Sequence, residues 1–104
     1  MFVWLNKQGV QSDRGFEVQF TGRFSAEYRE GERFIKLYVE DGLSGGLSCI
    51  SINPDAFGHW DNGARISPTQ QAQILQNFKD AMEFQGLMLV VERGESPSGY
   101  NQTA

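Results

Sequence analysis

Between Phe16 and Val39 the apolar residues recur at every second position, and a chain patterned this way must bury one face of a β-sheet. Phe16, Val18 and Phe20 fall on one side, with Glu17, Gln19 and Thr21 on the other. Gly22 interrupts the run, after which Phe24, Ala26 and Tyr28 alternate with Arg23, Ser25 and Glu27. Glu30-Gly31 signals a tight turn, followed by a strand over 33–40 whose apolar row is Ile35, Leu37 and Val39. The glycine-rich segment 41–46 reads as a flexible loop. Beyond it, 47–52 reads as a strand with Ile50 and Ile52 on one side. Short runs joined by turns favour antiparallel pairing.

The period changes after residue 66. Ser67 suits an N-cap, Pro68 the first helical position, and Gln70 completes a Ser-x-x-Gln capping box. Ile74, Leu75, Phe78, Ala81 and Met82 then make one stripe at helical spacing, and Gly86 suits the left-handed residue that ends a helix. The spacing predicts a helix over 68–85 and a strand, apolar on both faces, over 87–92. The stretch 54–65, with its glycines, proline and short polar residues, reads as an ordered connection. Strands, one helix and a final strand define an α+β class: a mainly antiparallel sheet of five to six strands with the helix on one face. A single domain over 1–93 is expected, with a disordered tail over 94–104.

One helix covers only one sheet face. Phe34 and Tyr38 oppose the 35–37–39 row, and Met88 and Val90 oppose Leu87, Leu89 and Val91, so apolar surface is expected on the uncovered side. Such a patch marks a partner or dimer surface unless loops or the Phe2 to Leu5 segment cover it.

Composition narrows the classes. The 104 residues carry 9 basic and 13 acidic side chains, a net charge of −4, which disfavours nonspecific binding to nucleic acid or anionic lipid. Cys49 is the single cysteine, so no internal disulfide is available, in keeping with a reducing compartment. The opening MFVWLNKQG lacks the layout of a secretory signal, and no apolar run approaches the ~20 residues of a membrane span. The expectation is a cytoplasmic protein. The Asn101-Gln102-Thr103 sequon reads as chance in that setting.

Residues for chemistry are few. His59, the single histidine, lies in His59-Trp60-Asp61-Asn62 with Asp55 upstream, yet no second histidine or cysteine pair supplies the three or four ligands zinc requires. Neither metal nor cofactor is expected. Cys49 and His59 could form a nucleophile and base if they met in space, but Cys49 sits among Leu47, Ile50 and Ile52 and reads as a small core residue. Glu30/Glu32 and Glu40/Asp41 flank turns, where carboxylates are ordinarily solvated. Gly42-Leu-Ser-Gly45-Gly46 lacks the Gly-Lys-Ser/Thr ending of a phosphate loop. Phe34, Lys36 and Tyr38 share a face near Arg23 and Arg29, which keeps open a sheet that stacks single-stranded nucleic acid. Cross-strand packing accounts for the same aromatics.

The segments YREGERFIKLYVE, ISINPDAFGHW and RISPTQQAQILQNFKDAMEFQGLMLVVE resemble the central hairpin, the Trp-containing loop, and the helix and last strand of a family of small immunity proteins encoded beside bacterial polymorphic toxins. The likeness spans roughly residues 16–93. It implies a non-enzymatic protein that neutralises a cognate toxin by binding it, and brings no catalytic residues. The expected partner surface is Phe34, Lys36, Tyr38, Asp55, His59, Trp60 and Asp61. The alternatives are the nucleic-acid module, a small homodimeric domain, and an enzyme built on His59.

Overall fold

A computed structural model describes residues 1–91. Its seven strands are β1 (Phe2–Asn6), β2 (Gly9–Ser12), β3 (Phe16–Gly22), β4 (Ser25–Glu30), β5 (Arg33–Ser44), β6 (Leu47–Ile52) and β7 (Met88–Val91), and one helix, α1 (Pro68–Phe84), precedes β7. The strands neighbour one another in chain order. All pairs through β5–β6 are antiparallel, while β7 runs parallel to β6 because the chain returns through the helix. The α+β class and the mostly antiparallel sheet with a helix on one face are as the sequence predicts.

The seven strands exceed the expected five to six. Phe2 to Leu5 is an edge strand paired to Gly9–Ser12, and does not cover the uncovered sheet face. The second correction concerns 41–46. β5 continues to Ser44 and β6 starts at Leu47, so only Gly45 and Gly46 turn, with φ of 59° and 86°. Two central residues at positive φ form the tight hairpin turn whose twist matches its strands, which is why glycine occupies both. The expected ends of the chain, Glu92 and the tail, lie outside the described residues.

The alternation sets the layers. Val10, Phe16, Val18, Ala26, Tyr28, Ile35, Leu37, Val39, Ile50 and Ile52 are buried on the helix side, against Ile74, Phe78, Ala81 and Met82 of α1. Phe24 departs from its expected row: the turn between β3 and β4 leaves it exposed, its ring beside Tyr38 at 6.3 Å and under the Arg23 guanidinium at 5.1 Å. The capping box at Ser67 is present, and Gly86 follows the helix at φ 81°. Leu75, expected in the stripe, is half-buried, and Asn77 is buried instead. Its Nδ2 donates to the Tyr28 hydroxyl at 2.9 Å, which satisfies a polar side chain inside the core.

The opposite face is mixed: Tyr38 and Met88, both expected there, are exposed on it, while its centre is polar. Register aligns Glu17, Arg29 and Phe34 across β3–β4–β5, and next to them Gln19, Glu27 and Lys36. Besides Phe24 and Tyr38, exposed apolar side chains lie at the sheet edges and hairpin ends: Met1, Val3, Trp4 and Leu5 at one margin, Leu43, Leu47, Met88 and Val91 towards the other. No helix among the described residues is long and apolar enough to cross a membrane.

Candidate binding site beside strand β5

β5 changes neighbours at its midpoint. Residues 33–38 pair with β4, and residues 39–44 pair with β6. Val39 donates its N–H to Phe24 O, so the odd residues of this half address β4 and the even residues Phe34 and Lys36 direct their N–H and C=O to the other edge. β6 ends at Ile52, opposite Val39, and the chain leaves the ladder there. The edge beyond is met by an irregular segment instead of a strand.

That segment holds its shape through its own polar groups. Asn53 accepts the Asp55 N–H and caps a short 3-10 helix, Pro54–Phe57. A small hairpin follows: Trp60 N–H donates to Ala64 O, Ile66 N–H to Gly58 O, and His59 bridges Arg65. Asn62 Oδ1 accepts the Ala64 N–H, an Asx turn that the Asp-Asn-Gly sequence favours. Trp60 anchors the hairpin. Its ring is 4% exposed, lies 6.4 Å from Tyr28, and carries the Arg33 guanidinium 4.2 Å above it.

Asp61 then fastens the hairpin to β5 like a single rung of strand. Its N–H donates to Phe34 O at 2.8 Å, and its Oδ1 accepts the Phe34 N–H at 3.0 Å. Between this rung and β6 lies an open depression of about 490 Å³, lined by Phe34, Ile35, Lys36, Asp55, Ala56, Gly58, His59, Trp60 and Asp61. Six of the seven expected partner residues therefore meet in one place. Tyr38 stands apart, exposed beside Phe24, with its hydroxyl donating to Glu40.

The groups at the depression divide into floor and rim. Ile35 and Trp60 are buried beneath it, and Phe34 is half-buried with the Arg29 guanidinium 4.9 Å from its ring centre. Lys36, Asp55 and His59 are exposed, and the side chains of these three have no hydrogen-bond or ion-pair partner among the described residues. Lys36 also turns its backbone N–H and C=O towards this space, by the alternation that aims those of Phe34 at Asp61. The sequence offered no sign of that open half-edge; the change of partner along one long strand appears only in the pairing.

Of the pairings that would join His59 to an acid or a thiol, the depression brings His59 together with Asp55 and Asp61, with no hydrogen bond between them among the described residues. Cys49 is buried on β6 between Gly42 and Met88 and does not line the depression, so it and His59 form no dyad there. No three His, Cys, Asp or Glu side chains among the described residues cluster to hold a metal ion. For base stacking the outer face is crowded: Arg29 lies over Phe34 and bonds Glu27 at 3.4 Å, and Lys36 stands opposite Glu27. Neither family models, curated proteins nor solved structures provide a match to this chain.

Proposed function

We propose that this chain is a non-enzymatic protein-binding domain of the immunity type, which neutralises a cognate bacterial toxin in the cytoplasm by holding an extended stretch of it against β5. The observation that carries the reading is the depression itself. It combines a main-chain rung at Lys36 and a carboxylate at Asp55, both without a bonded partner among the described residues, with a half-buried aromatic at Phe34. An added strand takes its affinity from main-chain hydrogen bonds and its specificity from side-chain pockets, and both elements are present here. The net charge of −4 suits a basic partner such as a nucleic-acid-cutting toxin, since opposite charge speeds encounter and rejects wrong partners.

The test is co-expression with the tagged product of the adjacent gene. Wild-type protein should be retained on the tag, and Phe34→Ala and Asp55→Lys should each lower its apparent affinity by about tenfold or more, the scale of a modest interface contact. Failure of the wild type to bind, or binding that neither substitution weakens, contradicts the reading.

A further inference from the structure

β1 is the outermost strand at one end of the sheet, and its outer margin pairs with no strand among the described residues. Asp13 N–H donates to Met1 O, which makes Met1 and Asp13 a hydrogen-bonded pair. By alternation Val3 and Gln11 form the next such pair, while Phe2 and Trp4 direct their N–H and C=O away from β2. A bulge after Trp4 ends the regular stretch, leaving a short straight edge centred on Val3. Natural edges are usually blunted by charge or proline, but Phe2-Val3-Trp4-Leu5 contains neither.

We propose that two copies of this chain pair antiparallel through β1, on a two-fold axis at Val3. In that register Phe2 of each copy faces Trp4 of the other, and all four outward groups on each edge find partners. This register uses the whole regular stretch before the bulge, because the residues on either side of the axis, Phe2 and Trp4, both direct their main-chain groups outward. The rings continue the match. Phe2 and Trp4 lie on the helix side, at 5.3 and 5.7 Å from Phe84, so pairing gathers one such cluster from each copy. Val3 is 55% exposed and Trp4 52%, and with Met1, Leu5 and Phe84 the apolar surface at this margin is on the order of 500 Å² per copy. That lies below the ~800 Å² per partner of a standard stable complex, and fits a weak, reversible dimer. The dimer is independent of the depression beside β5, because none of its residues line that space.

Sedimentation of the full chain across a concentration series tests the proposal. The wild type should shift from monomer to dimer with a dissociation constant of about 10–100 μM, as expected for an interface this small. Val3→Lys and Val3→Glu should each remain monomeric at least tenfold higher in concentration, since they set like charges directly opposite across the axis. An equimolar mixture of the two variants should dimerise again, which shows that both still fold. A wild type that stays monomeric throughout, a dimer that Val3→Lys leaves intact, or a mixture that fails to reassociate overturns it.

Discussion

The Tyr28 hydroxyl makes a buried side-chain contact with Asn77 that ties the helix to the sheet. It donates to Glu30 and accepts from Asn77, whose Oδ1 in turn accepts from Gln73. Burial, followed by the hydrogen bond to Glu30, pushes the phenol well above its usual range, so it stays protonated as the donor this arrangement needs. Tyr28→Phe leaves the buried Asn77 amide without an acceptor, and should cost about 1–3 kcal/mol in urea unfolding. A second residue-scale consequence concerns acid. Burial alone would raise the Asp80 carboxyl, but hydrogen bonds from Arg14 and Gln76 and the charges of Arg14 and Lys79 hold it below the ordinary value. A depressed carboxyl contributes stability above its unfolded pKa and loses it as pH falls through the folded one. Asp80→Asn should therefore narrow the gap between the urea-unfolding free energies at pH 7 and about pH 3, by under ~1 kcal/mol because the pair is partly exposed.

At the scale of elements, the helix was the most legible part of the sequence because its signals are local. Ser67 and Gln70 bond each other's backbone as the capping box requires, at 3.2 and 3.4 Å. Ser67→Ala should lower stability by about 1 kcal/mol. Gly86→Ala should cost a similar ~1 kcal/mol, since a φ of 81° strains any residue with a Cβ although nothing stands within 4 Å of one added there. Both are read from thermal or urea melts. Strand faces were equally legible where period two ran unbroken, as at Ile35, Leu37 and Val39. β1 was missed as a strand because its apolar run does not alternate, and Phe24 was misplaced because the β3–β4 turn takes up one residue more than Gly22 alone suggests. Asn77 lay among the apolar stripe by spacing, but only its distant partner Tyr28 explains its burial.

For the whole molecule, the consequential feature is that β5 serves two neighbours in turn. Twelve residues long, it pairs β4 with its first half and β6 with its second, and the hairpin at 58–66 meets the half-edge left over. Sequence reasoning named Phe34, Lys36, Asp55, His59, Trp60 and Asp61, chiefly from a face pattern and an aromatic loop. Their convergence depends on Asp61 locking to Phe34 across a separation of 27 residues, which no local pattern encodes. The central claim is that this depression receives a partner's chain. Amide hydrogen exchange on the complex co-purified with the adjacent gene's product tests it directly. The account predicts slowed exchange at Lys36 and across 55–61, with the helix surface and β3 unchanged; slowing confined to other surfaces, with Lys36 exchanging as in the free protein, would contradict it.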